Sequence, residues 1–543
     1  MRRLLLPTRV VWTAGLVDGA ERLLSDGDGF CEMQTTGEGG AAVLLDFGRE
    51  LHGGVRIESP AAPKRGPARV RLRFGESVSE AMGEPNNDHA IHDAEVLVPW
   101  YGRVEFGDTG FRFVRIDLLD TKAPLRLSAV RAVFVYRDLD YLGSFACSDQ
   151  RLNRIWEVGA HTVHLCMQDL VWDGVKRDRL PWIGDLHPEQ RVISTVFGEV
   201  DVVPATLDYV RDRTPLPGWM NGISSYSLWW VLIQRDWYRW HGSLAYLREQ
   251  RGYLLGLLDQ VAGCLDAAGR EHLGGGRFLE WPTSRDETAI DAGLQALTAM
   301  ALRAGAQLCR ALEEPEAAGR AEDAAARAAA CPPAPTPSKQ ANALAVLADM
   351  ADPAEANRAV LARDPCRGLS TFYGYYVLEA RARAGDIAGC LDLIRTYWGG
   401  MLDLGATSFW EGFDVDWLRD AARIDESVPE GKHDVHAEYG DYCYKGLRHS
   451  LCHGWAAGPT AWLSGHVLGL SPAAPGFRRL RVAPRLGGLD EARGTLPSPE
   501  GVVTVRHRQR ADGRVDTQVD APAGIRVELG EQCASPPGSA PGR

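Results

Sequence analysis

Several things this 543-residue sequence lacks narrow its function before any motif is found. No stretch approaches 18 uncharged apolar residues, so no helix reads as membrane-spanning. The start, MRRLLLPTRVVW, has an apolar run broken by Pro7 and Arg9, too short for a typical signal-peptide core. The 11 cysteines are scattered and odd in number, and no C-x-x-C pair occurs among them. Neither a zinc site nor a disulfide framework is indicated, and most thiols are expected to be reduced and buried. Positive charge is also short. With 60 Lys and Arg against 72 Asp and Glu, the net charge is −12, which argues against nucleic acid as a partner because phosphate binding needs a basic face. No G-x-S-x-G, Walker A, G-x-G-x-x-G or H-E-x-x-H motif occurs, removing the commonest hydrolase, nucleotide and zinc-protease readings. The expectation is a soluble, cytoplasmic protein with no cofactor and no bound metal, and without a membrane or nucleic-acid partner. A homodimer is left open.

What is present is a chain long enough for two to four domains, with a globular balance of 45% hydrophobic and 24% charged residues. Residues 1–145 read as β. AAVLLDFG (41–48), GGVRIES (53–59), ARVRLRFGE (68–76), GFRFVRIDLL (110–119) and SAVRAVFVY (128–136) are short Val-, Ile- and Phe-rich runs separated by turn residues. They predict an antiparallel sandwich with no catalytic residue. Residues 146–468 change to helical spacing. The runs are 148–170 with Ser148 as N-cap, 227–242, 243–265, 287–312, an Ala-rich exposed helix at 315–330, and 371–385. From 469 to 543 β character returns, with a hairpin at ADGR (511–514) and a low-complexity tail, QCASPPGSAPGR, expected to be disordered.

Fourteen of the 16 tryptophans lie between Trp156 and Trp462. Some must be core, but several stand beside charges in loop-like segments: VWDGVKRD, LPWIGD, FLEWPTSRD and SFWEGFD. A sugar site needs such a pairing, because the C–H face of a pyranose stacks on an aromatic ring while charged groups bind its hydroxyls. The densest segment, DGVKRDRLPWIGDLHPE, holds Asp173, Arg177, Asp178, Trp182 and Asp185. Gly174, Pro181 and Gly184 disfavour a long helix, so these carboxylates read as loop-borne. A solvated acidic loop is the bland alternative, and Trp172 and Trp182 weigh against it. Glu411, in GATSFWEGFD, is the second candidate, since glycoside cleavage uses two carboxyl groups. One of the pair must be protonated; Asp173 and Asp185 could raise the acid's pKa by their charge, with Arg177 opposing them. His453, in SLCHGWAAGP, is a core histidine or a site residue. The H-x-x-H of HDVHAEYGD (433–441) is a polar loop sooner than a metal site.

At these residues the sequence resembles the bacterial α-L-rhamnosidase family of inverting glycosidases. Members carry an Asp, an Arg-acid pair four and five residues later, then a Trp and another Asp, matched here by Asp173, Arg177-Asp178, Trp182 and Asp185. The G-A-T-S-F-W-E segment ending at Glu411 matches the family's general base, and His453 matches its histidine in a small, aromatic-rich stretch. The likeness covers nearly the whole chain, including LDFGRELHGGVRI and VRLRFGE ahead of the helices. It implies a central (α/α)6 barrel flanked by an N-terminal β-sandwich (1–145) and a small C-terminal β-sandwich (469–543). It further implies that Asp178 protonates the glycosidic oxygen while Glu411 activates a water on the opposite face. Asp173, Arg177 and Asp185 would hold hydroxyls, Trp182, Trp281 and Tyr226 would form walls, and His453 would stand near the base. The sequence is expected to be a compact form, without the extra N-terminal β domains of larger members, and three positions depart from the family pattern. Asp178 stands for the usual Glu, Gly174-Val175 for Cys-Pro, and Pro181 for Gly. Two rival readings are a glycosidase of the same fold acting on another sugar, and a carbohydrate-binding protein without hydrolysis.

Overall fold

The alternation in Ala68–Gly75 turns Val70, Leu72 and Phe74 to one buried face, as period-two patterning requires. In the computed structural model, which describes residues 1–36, 40–60, 66–84, 92–120 and 124–534, this strand joins a seven-stranded antiparallel sheet. Its order is Arg2–Leu5, Ala129–Val135, Ala42–Ser59, Gly102–Leu118, Ala68–Gly75 and Asp93–Val98, with Arg9–Ala14 also paired to Ala42–Ser59. The two strands expected at 41–48 and 53–59 are one, bent by irregularities at Asp46/Leu51 and Gly53/Val55. Gly53 has φ 137°, and a Cβ there would lie 2.0 Å from the Val133 carbonyl oxygen, so the bend needs glycine. A smaller sheet of Leu16–Asp18, Cys31–Gln34 and Leu125–Leu127 accompanies it. The apolar core of this β unit also takes in Leu165, Cys166, Val175 and Cys452 from the helical part.

Helices follow. Gln150–Cys166 is capped by Asp149, whose side chain accepts from the N–H groups of Arg151 and Leu152. Ser148, expected as the cap, instead accepts from the N–H of Asp490. Ser224–His241 buries Leu228 through Ile233 without a break, as a helix enclosed on all sides must. Ile183–Val196, Ser224–His241, Glu287–Ala311, Lys339–Leu347, Gly374–Arg383 and Gly458–Trp462 each pack on the next, and the last returns to the first. Gln150–Cys166, Leu244–Gly263, Pro315–Ala330 and Ile387–Asp403 lie against this ring. Pro315–Ala330 is therefore not exposed all round, because Ala318, Ala321, Ala324, Ala325 and Ala328 are buried. Among the described residues no helix is long and apolar enough to cross a membrane.

The C-terminal strands form a five-stranded and a three-stranded sheet. The first includes Ser144–Cys147, which precedes the helices and pairs with Glu491–Ser498. The hairpin at ADGR joins Gly501–Gln509 to Val515–Asp520 as expected. Of the tail, Cys533–Ala534 pair with Val515–Asp520; residues 535–543 lie outside the described residues. All eleven cysteines are free.

Candidate active site

Five stretches of chain meet where the ring helices begin. The first is the loop between Gln150–Cys166 and Ile183–Val196. Asp173 closes it: its backbone N–H donates to the Leu180 carbonyl at 3.0 Å, and its side chain accepts from the Leu180 N–H at 2.9 Å. Asp178 and Arg179, at the tip, both have positive φ, 55° and 53°. Asp185 is not loop-borne as expected but sits in the first turn of Ile183–Val196, which starts directly after Trp182. The helix N-terminus carries partial positive charge and suits an acidic side chain there.

The second stretch carries Glu411, which is anchored by its backbone. Its N–H donates to the Ser450 carbonyl at 2.9 Å, and its carbonyl accepts from Thr371 Oγ1 at 2.6 Å and Trp455 Nε1 at 3.0 Å. In the third stretch, Gly454 N–H donates to the Asp173 carbonyl at 2.8 Å and His453 bridges to Gly174. The fourth brings Tyr226, on Ser224–His241, and the fifth Trp281, just before Glu287–Ala311.

All nine residues singled out from the sequence line one cavity of about 190 Å³: Asp173, Arg177, Asp178, Trp182, Asp185, Tyr226, Trp281, Glu411 and His453. That is below the ~300–1,000 Å³ of clefts for drug-sized ligands and suits a single sugar ring. Ile223, Phe278, Cys443 and Trp455 line it too and escaped the sequence reading. Phe278 and Trp455 had a signal, being aromatic residues inside segments already marked. Trp182, Tyr226, Phe278 and Trp281 form a run of edge-on ring contacts with centroids 5.1–6.5 Å apart. Trp172 lies elsewhere, edge-on to His52 of the β unit, and Trp410 is fully buried core.

Electrostatics centre on Arg177. Its Nε donates to the Arg448 carbonyl, its Nη2 to Glu411 Oε2, and its Nη1 lies 3.4 Å from Asp178. Burial works against the guanidinium's charge, but Glu411 and Asp178 raise its pKa. Its fork is thus spent largely on the two carboxylates rather than left free for hydroxyls. Burial pushes Asp173 up to about 8, against the pull of His453. At neutral pH Asp173 therefore holds its proton and does not supply the negative charge expected beside Asp178. Burial likewise raises Asp185, against its contact with His453, and lifts Glu189 well above the carboxylate range. His453 Nε2 lies 3.3 Å from Asp185. Burial disfavours its charge, yet Glu411, Asp185 and Asp173 together raise its pKa. Burial and then Glu411 push Cys443 up to about 12, so it stays a thiol and is no nucleophile. The H-x-x-H histidines part company. His433 Nδ1 pairs with Glu438 at the surface, and His436 is buried against Ser77 and the His449 carbonyl.

The arrangement offers two carboxylates paired with one guanidinium, the buried carboxyl of Asp173 and an aromatic wall. Known proteins carry the same fold. The alpha-L-rhamnosidase of Alteromonas sp. (strain LOR) is 25% identical over 90% of this chain, which spans 55% of that relative's length. The structure of a rhamnosidase of Bacillus sp. GL1 superposes with a TM-score of 0.77 at 23% identity, over 94% of this chain and 55% of that one. A Klebsiella oxytoca rhamnosidase, solved with rhamnose bound, gives a TM-score of 0.68 at 21% identity, over 86% of this chain and 95% of that one. The family model of the bacterial alpha-L-rhamnosidase six-hairpin glycosidase domain matches residues 140–331, and that of the bacterial alpha-L-rhamnosidase C-terminal domain matches residues 469–530. The chain is thus similar to the bacterial alpha-L-rhamnosidases in these two stretches and in its fold.

Proposed function

We propose that this chain is a glycoside hydrolase that releases terminal α-L-rhamnose from rhamnosides or rhamnose-containing oligosaccharides with inversion. Asp178 is the general acid and Glu411 the general base. The observation that carries the reading is Arg177, bonded to Glu411 and 3.4 Å from Asp178 in one sugar-sized cavity. One guanidinium pairs with both carboxylates, which supplies the site with the two carboxyl groups that an inverting acid and base require. The side chain of Asp178 is 35% exposed and that of Glu411 3%. That difference fits an acid reaching the leaving group at the entrance and a base working from inside. Trp182, Tyr226 and Trp281 supply the stacking wall, while Asp173, Asp185 and His453 bind hydroxyls.

The closed succession of six ring helices supports an (α/α)6 barrel divided from its neighbours near residues 145 and 468. The two sheets ahead of it would form a sandwich, and the two behind it a smaller one. Free cysteines favour a reducing compartment, the cytoplasm. A panel of nitrophenyl glycosides tests the function. Cleavage of the α-L-rhamnoside with β-L-rhamnose as the first product, seen by NMR, is expected. Preference for another sugar would refute the substrate, and release of the α-anomer would refute the mechanism.

A further inference from the structure

Lys176, immediately before Arg177, carries its charge into a fully enclosed place. Its side chain is 0% exposed, and its Nζ lies 2.9 Å from Glu80 and 3.7 Å from Glu76, which are themselves buried. It also donates to the carbonyls of Leu447 and His449. Both glutamates belong to the N-terminal β unit, at the end of Ala68–Gly75 and in the short helix Val78–Met82. Glu80 is fixed in turn: its carboxylate accepts from the Glu76 N–H at 2.8 Å, and its own N–H donates to Ser77 at 3.0 Å. On the far side, Glu76 Oε2 accepts from the Leu451 N–H at 2.7 Å. The next residue back, Ser450, donates its N–H to Glu411 Oε2 at 3.3 Å and accepts from the Glu411 N–H. The same β unit grips the loop elsewhere. Gly110 N–H donates to the Val175 carbonyl at 2.8 Å, His92 Nε2 meets the Lys176 carbonyl at 3.0 Å, and Val175 and Cys452 lie in the β unit's core.

We propose that Lys176 is a positioning residue and the N-terminal β unit a working part of the active site: the Lys176–Glu80–Glu76 cluster sets the loop bearing Arg177 and Asp178, and, through Leu451, the segment holding Glu411. The proposal rests on the glycosidase reading for its catalytic consequence. Taking an ammonium out of water costs several kcal/mol, and a buried ion pair is weak evidence of stability. Its placement one residue from Arg177 gives it a geometric use instead. Donor atoms of Glu76, Glu80 and His436 lie within 4.8 Å of one another, as a metal site would need. The Lys176 ammonium, 2.9 Å from Glu80, already supplies the positive charge there.

The test uses the full chain. Lys176→Met alone strands buried carboxylates, so the informative variant is Lys176→Met with Glu80→Gln, which removes both charges of the close pair and keeps an acceptor for the Glu76 N–H. It is expected to fold with near-normal melting, since neutral replacement of a buried pair is often tolerated. Its kcat is expected to fall about 100-fold, the cost of roughly 1 Å of misplacement, with KM changed less than about threefold. Hydrogen exchange should quicken over residues 172–180 and 449–453 and stay unchanged in Ser224–His241. Wild-type kcat and exchange in this folded variant would overturn the proposal. Should it not fold, Glu76→Ala keeps the Lys176–Glu80 pair and removes only the acceptor for Leu451. Slower turnover and faster exchange over 449–453 are then expected, and wild-type values for both overturn it. If the wild-type chain cleaves no glycoside, the functional reading fails, and the exchange comparison alone decides whether the cluster positions these loops.

Discussion

Arg177 and Glu411 stand 234 residues apart in the sequence and meet in an ion pair whose side chains are each 3% exposed. One guanidinium nitrogen serves Glu411, another faces Asp178, and Nε binds the Arg448 carbonyl. Lysine keeps the charge but concentrates it on one nitrogen, and it lacks the planar fork that spans these separated partners. Arg177→Lys is therefore expected to fold and to lose turnover about 100-fold, or ~2.7 kcal/mol of barrier. Arg177→Ala should in addition lose about 3–5 kcal/mol of stability, because Glu411 is left buried and unpaired. Steady-state kinetics and urea denaturation measure both. Normal turnover in the lysine variant would show that the fork is dispensable.

The tip of the loop makes a separate prediction. Asp178 has φ 55°, a left-handed conformation that Asp and Asn accept better than most residues because their short side chains bond locally. Asp178→Asn should keep the fold and lose turnover by about 10²–10⁴, the usual worth of a general acid. Asp178→Glu, restoring the residue usual in the resembled family, gives up that local preference. It should cost about 1 kcal/mol of stability and turn over more slowly than wild type, yet well above the Asn variant. A Glu variant faster and no less stable than wild type would remove the backbone as the reason for aspartate.

The site was more legible than its supports. Asp173, Arg177, Trp182 and Asp185 could be named together because one short segment carries them, and Glu411 and His453 because each sits in a marked stretch. Cys443 gave no signal, since its place in the lining depends on how the 433–450 loop folds back. The sequence also placed no catalytic function in residues 1–145. Nothing in the sequence singles out Glu76 or Glu80, and only long-range contacts bring them to Lys176 and Leu451. Ser148 was a reasonable cap by type, but cap choice is decided by which neighbour's backbone is already extended, and that is Asp149. Asp185 looked loop-borne because Gly184 and Pro181 obscure the start of a helix whose later residues are nearly all buried.

Stability should fall as the pH rises from about 4 to about 8. Asp173 keeps its proton up to about 8 in the folded chain against an ordinary value of 3.8. Its contribution is fully present below the unfolded value and is lost as the pH rises through about 8. His453, raised above 6.5, has the same sign, and so do the raised carboxyls of Asp185 and Glu189. Urea denaturation at about pH 5, 6, 7 and 8 should give a declining unfolding free energy. Asp173→Asn has no proton to lose there, so its decline should be shallower. An equal slope in the variant would mean that Asp173 does not titrate in this window.

The aromatic wall depends on a missing side chain. A Cβ on Gly184 would come within 2.4 Å of the Tyr226 ring, and an aromatic ring cannot yield as a flexible side-chain end can. The same ring stands edge-on to Trp182 at 6.1 Å, and its hydroxyl approaches Asp185 at 3.4 Å. Gly184→Ala should therefore push Tyr226 off both partners and widen or tilt the sugar-facing wall, with overpacking costing about 1–3 kcal/mol. Because the ring would stack on substrate in both the ground and the transition state, the expected kinetic signature is a raised KM with kcat little changed. Tyr226→Phe isolates the hydroxyl: it keeps the wall and loses only the contact to Asp185. Should that variant also raise KM as strongly as Gly184→Ala, the hydroxyl and not the ring would be what binds the sugar. If the alanine variant lowers kcat instead, the displaced ring is reaching the Asp178–Glu411 geometry, and Gly184 belongs to catalysis rather than to binding.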